Sequence, residues 1–178
     1  SAWRVWFDAY GDYNDYGVLN TSAVWQTSSG IFTADPTTTM LPLASGATQN
    51  NSSQTYMAWV FANTEGMIKA GTYVGNGSTN GTFVYTGFKP AFVMIKRSNR
   101  SDYWYIIDTA RNPFNGPGSL LLNPDRNVPE TDNATTDVID ILSNGWKMRT
   151  SGGGLNGSGG EWVWLAFAEM PSKYATAR

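Results

Sequence analysis

Hydrophobic and polar positions alternate most clearly towards the C-terminal end of the chain, in residues 142–169. Apolar Trp146 and Met148 are each followed by a basic residue, which is the period-two pattern of a half-buried β-strand. Residues 162–168 are apolar at every position, as is typical of an inner strand between two packed faces. The intervening residues 151–160 are too rich in glycine for a helix. The pattern predicts a hairpin whose two strands are joined by a glycine-rich loop.

The same pattern recurs, more weakly, 106 positions earlier (151 minus 45). An ungapped alignment at this offset pairs six identical residues, namely Ser45 with Ser151, Gly46 with Gly152, Asn50 with Asn156, Ser52 with Ser158, Phe61 with Phe167 and Ala62 with Ala168. Self-similarity at a fixed offset is the signature of repeated structural units. We therefore predict a single domain over residues 1–178 that contains two similar β-units, 1–62 and 83–169, linked by residues 63–82 and sharing one core.

Short apolar runs bounded by Gly, Pro, Asn and Asp continue through the rest of the chain, and no stretch keeps a 3.6-residue period for more than two turns. Charged residues make up only 15% of the chain, against the ~25% usual for globular proteins. Asn, Ser, Thr and Gly must therefore supply the polar surface, and these residues favour turns and extended chain over helix. We predict an all-β fold with little helix: a two-sheet antiparallel β-sandwich.

Charge and composition exclude several classes of function. The net charge is −2 and no run of Lys and Arg is present, so neither nucleic acid nor an anionic membrane is expected as the main partner. The chain has no His and no Cys, which excludes His-dependent nucleophilic catalysis, disulfides and ordinary structural zinc. No transmembrane run or signal peptide is recognisable. The chain begins with Ser rather than Met and is apolar from residue 3, which is compatible with a piece of a longer polypeptide.

The first loop is the strongest candidate for ligand binding. It combines ring and oxygen-bearing side chains, namely Tyr10, Asp12, Tyr13, Asn14, Asp15 and Tyr16. Sugar rings stack on aromatic faces and their hydroxyl groups pair with Asp and Asn, so a loop with both suits a glycan. Two alternatives stay open: a solvated connection whose tyrosines pack on the sheet edge, and a calcium site that lacks the EF-hand order of ligands. No other cofactor is expected.

Three further features concern single residues. Of the eight tryptophans, we expect Trp25 and Trp104 to be exposed as sugar platforms or subunit contacts, because both adjoin polar turns. Asp108 and Arg111 are expected to clamp the Pro/Gly-rich loop that follows them, with ligand contact as the lesser option. Glycoside hydrolysis would need two carboxylates roughly 5–9.5 Å apart; the candidates are Asp8, Asp102, Asp108, Asp140, Glu161 and Glu169.

The second half of the chain resembles a module repeated in tail-fibre and tail-tip proteins of bacteriophages. The resemblance is carried by residues 71–78, 83–97, 108–115, 142–145 and 166–169, and in the first half mainly by residues 57–66. It implies a jelly-roll or concanavalin-like lectin fold on the virion surface, outside the cell, that binds a host surface glycan without catalysis. It also implies contact with other tail-fibre subunits, with a homotrimer as one possible assembly. No catalytic residues follow from it.

Two other functions remain open at this point. One is a glycoside hydrolase or depolymerase acting on host polysaccharide through a carboxylate pair. The other is a structural or assembly domain of the tail or virion, which predicts a large apolar surface patch matched to a neighbour.

Overall fold

The protein is described by a computed structural model, which covers residues 2–45, 49–116, 118–133 and 138–169. These residues contain twelve strands and no helix. In chain order the strands are β1 (Arg4–Val5), β2 (Asp15–Val18), β3 (Gln26–Thr27), β4 (Ile68–Val74), β5 (Phe83–Tyr85), β6 (Pro90–Arg97), β7 (Trp104–Asp108), β8 (Ser119–Leu121), β9 (Thr131–Asn133), β10 (Ile139–Leu142), β11 (Gly145–Met148) and β12 (Glu161–Ala168). Within these residues, no helix is long and apolar enough to cross a membrane.

A four-stranded antiparallel sheet in the order β4-β12-β6-β7 forms the centre of the molecule. Strand β12 is the continuous apolar run of the sequence, and it pairs with β4 over seven residues and with β6 on its other side. Because both edges of β12 are paired and both faces are covered beyond its first residue, an apolar residue is favoured at each position from 162 to 168. The predicted hairpin of β11 and β12 differs in one respect, since the two strands enter different sheets.

The first hydrophobic core lies between the central sheet and a three-stranded sheet in the order β10-β11-β5. Trp162 and Trp164 of β12 project into it from one side, and Trp146 and Met148 of β11 from the other. Trp146 and Trp164 meet edge to face with their ring centroids 4.8 Å apart. Strands β8 and β9 form a separate two-stranded ribbon whose Leu121 completes this core.

A second hydrophobic core covers the opposite face of the central sheet. Val163 and Leu165 of β12 and Trp104 of β7 contribute from the sheet, and Phe7 and Trp25 contribute from the N-terminal segment that carries the small sheet β1-β2-β3. The sequence predicts one shared core, whereas the structure has one on each face. The alternation of β12 explains the difference, because successive side chains of a strand point to opposite faces.

The predicted first copy of the hairpin does not form strands. Residues 55–62 belong to no strand, helix or turn and have no sheet partner among the described residues, whereas their counterparts 161–168 form β12. Gly46, one of the aligned residues, lies outside the described part of the chain. The prediction of a strand at residues 55–62 is therefore wrong, while duplication as such stays a prediction.

The all-β class with antiparallel sheets and little helix is confirmed. Side chains of the central sheet and of the sheet β10-β11-β5 share the first core, so the two sheets are packed against each other.

Candidate functional site

A cleft of about 310 Å³ lies where β7, the β8–β9 ribbon and the glycine-rich loop (residues 151–160) meet. We call it the tyrosine cleft. Its polar and aromatic lining consists of Tyr103, Tyr105, Asn123, Arg126, Thr131, Thr150, Gly152 and Gly154, and its apolar lining of Leu121, Val138 and Leu155. Aromatic rings, amide and hydroxyl groups and one cation therefore converge on a small concave surface, which is the composition of many ligand sites.

The glycine-rich loop forms one wall of this cleft and is fixed by hydrogen bonds to its backbone carbonyls. Arg97 Nη1 donates to Gly153 O (2.8 Å), Trp162 Nε1 donates to Gly154 O (2.8 Å) and Tyr73 Oη donates to Leu155 O (2.6 Å). The three donors belong to three strands of the central sheet, β6, β12 and β4. The two aromatic donors, Trp162 and Tyr73, are buried. A loop so rich in glycine would otherwise be flexible, so these bonds make the wall rigid before any ligand arrives.

The side chain of Asn156 fixes the glycine-rich loop through hydrogen bonds to neighbouring segments. This side chain is fully buried, and Nδ2 lies 2.8–2.9 Å from Thr150 O, Ser78 O and Asn76 Oδ1. Its Oδ1 accepts a hydrogen bond from the backbone N–H of Asn76. One amide thus joins the glycine-rich loop to the turn that follows β4.

The two tyrosines of the cleft are held in different ways. The guanidinium carbon of Arg126 lies 4.1 Å from the ring centroid of Tyr103, which is 38% exposed. Tyr105 Oη donates to Asp102 Oδ1 (3.3 Å), and a Cβ atom on Gly154 would come within 2.6 Å of that hydroxyl oxygen. A side chain at position 154 would therefore force the Tyr105 ring or the loop to shift.

Burial perturbs several ionisable groups beside the cleft. It raises the pKa of Tyr105, an effect to which the negative charge and hydrogen bond of Asp102 add. Burial also raises the pKa of Asp125, although Trp104 N–H donates to its Oδ1 and Lys96 and Arg126 act in the opposite direction. The buried amine of Lys96 has its pKa lowered to about 8, mainly by burial. Its Nζ donates to Arg97 O at 2.5 Å.

The loop of residues 10–16 does not contribute to the tyrosine cleft. Its carboxylates are used within the N-terminal segment: Asp12 Oδ1 accepts from Asn14 N (2.7 Å), and Asp15 accepts from Asp12 N (3.0 Å) and Thr27 Oγ1 (2.6 Å). Such bonds are typical of a structured turn.

The tyrosines of that loop are also engaged in part. Tyr10 packs edge-on against Trp25 at 5.6 Å, and Tyr16 Oη donates to Gln26 Oε1 (2.6 Å), while Tyr13 is half-buried. Among the described residues no group of three or more acidic side chains is placed to hold a metal ion. The glycan and calcium interpretations of this loop stay predictions.

Trp25 and Trp104 are buried, so the predicted exposure of both rings is wrong. Trp104 is completely inaccessible and its Nε1 donates to Val18 O (3.0 Å), while Trp25 is 8% exposed and packs between Phe7 and Trp104. Adjoining polar turns suggested exposure, but the N-terminal segment covers this face of the sheet. Only a long-range contact places it there.

Asp108 and Arg111 are in contact. Arg111 N and Nε donate to the two oxygens of Asp108 at 2.9 and 2.6 Å, and the guanidinium also pairs with Glu130. Burial alone would raise the pKa of Asp108, but the hydrogen bonds and charge of Arg111 lower it below its usual value. Arg111 thus connects the loop after β7 not only to Asp108, as predicted, but also to Glu130, the residue directly before β9.

The carboxylates considered for hydrolysis are mostly paired with cations. Asp140 contacts Arg149 (2.5 Å), Glu169 contacts Lys89 (2.6 Å) and Asp102 contacts Arg100 (3.2 Å). Asp108 is held by Arg111, while Asp8 and Glu161 are exposed at the surface. These acids are engaged in ion pairs within the fold, and Arg111 lowers the pKa of Asp108, which does not favour Asp108 as a general acid.

A second concavity, also of about 310 Å³, lies between the edge strands β4 and β5. Exposed Phe83 and Tyr85 line it, and Lys69 Nζ spans it to Tyr85 O (3.2 Å). Because the lysine occupies the space, this groove is a weaker candidate than the tyrosine cleft.

Sequence reasoning missed the cleft residues Tyr103, Asn123 and Arg126. They come from two connections separated along the chain by β7 and β8, and each connection alone has an ordinary polar composition. The one available signal was the glycine-rich loop, whose lack of side chains leaves room for neighbours.

Comparison with known proteins gives a family. The model of a domain of unknown function, DUF7483, matches residues 1–171. A search of curated proteins and a search of solved structures found no match.

Proposed function

We propose that this chain, which belongs to the DUF7483 family, is a non-catalytic adhesion module that binds glycan in the tyrosine cleft. The observation that carries the proposal is the convergence of Tyr103 and Tyr105 with Asn123, Arg126 and Thr150 on a wall that is already rigid. Rings provide stacking surfaces for the apolar faces of a sugar, and the amide, guanidinium and hydroxyl groups match its hydroxyls. Pre-organisation lowers the ordering cost of binding.

The setting of this module is proposed from the resemblance to bacteriophage tail proteins. The ligand would be a host surface glycan, and the module would be displayed on the virion tail beside other fibre subunits. A cleft this small makes few contacts, so each site would bind weakly. Several copies on one fibre would provide useful strength, since linked sites raise the effective concentration.

The experiment is a binding screen of the purified chain against bacterial surface polysaccharides, followed by titration of the best ligand. Tyr103→Ala is expected to weaken that binding about tenfold or more, because aromatic anchors dominate small sites. Tyr13→Ala is the matched control, since it removes a partly buried tyrosine from the N-terminal loop. Loss of binding in Tyr13→Ala but not in Tyr103→Ala would move the site to that loop and contradict the cleft assignment.

A reducing-sugar assay on the same polysaccharides tests the hydrolase alternative. The proposal expects no release of reducing ends, whereas a depolymerase would release them and lose this activity on removal of a carboxylate. An assembly role is compatible with binding and is supported by the exposed apolar side chains of residues 55–62.

A further inference from the structure

A group of exposed apolar side chains lies on and beside residues 55–62. We call it the apolar strip, and it consists of Trp3, Tyr56, Met57, Trp59, Val60 and Phe61, which are 45–77% exposed. Two contacts link residues 55–62 to the rest of the molecule: the ring centroids of Trp59 and Trp3 lie 6.1 Å apart, and those of Phe61 and Phe167 of β12 lie 5.4 Å apart. Apolar residues at such exposure are unusual when they are adjacent rather than scattered.

The backbone of this segment has few partners among the described residues: of its carbonyls, only Ala62 O accepts a hydrogen bond, from Thr64 Oγ1 (3.2 Å). No backbone N–H of residues 55–62 donates a hydrogen bond within the described part of the chain. The following turn does not extend into a hairpin, because Asn63 Oδ1 accepts from Ala70 N (2.7 Å) where a strand partner would bond. A segment whose N–H groups and most of whose C=O groups are unpaired is a template for pairing with another strand.

The sequence of the segment is that of an inner strand. Its counterpart at the offset of 106 positions is β12, which has a strand on each side in this fold. Residues 55–62 carry β-branched and aromatic side chains and no charge, which favours a paired and covered position.

We propose that residues 55–62 pair with the same residues of a second copy of this chain, giving a two-fold symmetric dimer. A fully buried aromatic residue covers roughly 150–250 Å². With four aromatic residues about half exposed, and Met57 and Val60 exposed beside them, the strip presents on the order of 700 Å² of accessible surface. That is close to the roughly 800 Å² per partner of a stable interface. Because the segment is uncharged, antiparallel pairing with itself brings no like charges together.

The strip and the tyrosine cleft lie on different faces of the central sheet. Phe167 beneath the strip packs with the second core, whereas Tyr105 of the cleft packs against the first. The dimer is therefore independent of the glycan-binding proposal, and a monomeric variant should keep its affinity for a monovalent ligand.

The test is the molar mass of the full chain in solution, measured by light scattering or sedimentation over a concentration series. The wild type is expected to approach twice the monomer mass at high concentration. Trp59→Lys should weaken association about tenfold or more, since it places a charge at the centre of the interface. Ala58→Pro should weaken it too, because proline removes an N–H from the pairing strand.

Phe114→Lys is the matched control: Phe114 is 87% exposed but lies in the loop after β7, and the variant should dimerise like the wild type. Thermal unfolding of all variants verifies that each is folded. A wild type that stays monomeric up to its solubility limit would overturn the proposal, as would a trimer, open-ended association, or a dimer that Trp59→Lys leaves unchanged.

Discussion

At the scale of single residues, the molecule depends on a few buried polar groups that satisfy backbone atoms of loops. Arg97, Tyr73 and Trp162 each donate to one carbonyl of the glycine-rich loop, and Asn156 joins that loop to the turn after β4. A buried hydrogen-bonding group that loses its partner costs more than the bond itself contributes. The stability of the cleft wall is therefore concentrated in these side chains.

Asn156→Ala is expected to lower the free energy of unfolding by about 2–4 kcal/mol, because it leaves several buried groups unpaired at once. Urea unfolding followed by tryptophan fluorescence measures the change. Asn80→Ala removes an exposed asparagine from the neighbouring turn and should change stability by less than about 0.5 kcal/mol. Equal effects of the two substitutions would show that the Asn156 network is not stabilising.

Lys96→Met is expected to reveal the cost of a buried amine. The pKa of Lys96 is lowered from 10.5 to about 8, so between these pH values the unfolded chain binds more protons than the folded one. Wild-type stability should therefore rise relative to Lys96→Met by on the order of 3 kcal/mol from pH 8 to 10.5, and the difference should be constant below pH 8.

Urea midpoints across this pH range measure the trend. Lys147→Met, at a half-buried position on β11, controls for the loss of a lysine as such. A difference between wild type and Lys96→Met that is flat with pH would contradict the lowered pKa.

At the scale of elements, strand β12 and the glycine-rich loop before it organise both cores. The strand pairs on both edges, and the loop must pass close to the end of β4, where Gly75 N donates to Gly160 O (2.9 Å) and Gly159 N donates to Gly75 O (3.0 Å). The elements approach too closely here for a side chain. A Cβ atom on Gly75 would lie 2.4 Å from Gly157 O and 2.7 Å from the Trp162 ring.

Gly75→Ala should therefore destabilise the fold by about 1–3 kcal/mol through overpacking against backbone. Gly30→Ala is the matched control, because a Cβ atom there meets only Ser28 Oγ at 3.6 Å, an ordinary contact. Thermal unfolding of the two variants should separate them clearly. A melting temperature for Gly75→Ala equal to that of Gly30→Ala would mean that the loop moves away without cost.

At the scale of the whole molecule, the N-terminal segment functions as a cover for the central sheet. Phe7 and Trp25 pack on Val163 and Leu165, and Trp104 Nε1 ties the sheet to Val18 O. The cover leaves the apolar strip exposed beside it, which is why we infer a second chain at that position.

Trp104→Phe should cost about 2–4 kcal/mol, since it creates a cavity in the second core and removes the shorter of the two hydrogen bonds that Val18 O accepts, leaving only the one from Thr21 N. Trp59→Phe, at a position that is 66% exposed, should be close to neutral when measured in dilute solution. Chemical unfolding with cooperative loss of both near-ultraviolet dichroism and fluorescence provides the measurement. A neutral Trp104→Phe would show that the N-terminal segment is not tied to the sheet.

The sequence by itself determined the fold class and the glycine-rich loop. Periodicity of two, scarcity of charge and abundance of turn-forming residues favour β-structure over helix for a chain that must bury most of its large aromatic side chains. The contact of Asp108 with Arg111 was also within reach of the sequence, because an arginine at the start of a Pro/Gly-rich loop can pair with a carboxylate just before that loop.

Only the tertiary structure decided which surfaces are covered. Burial of Trp25 and Trp104 depends on a segment about 80 residues away from β7, and the tyrosine cleft joins side chains from separate connections. The same holds for residues 55–62, which have an inner-strand sequence like that of β12 but no partner among the described residues. Local sequence sets what a segment is able to form, whereas burial and pairing depend on which distant segments reach it.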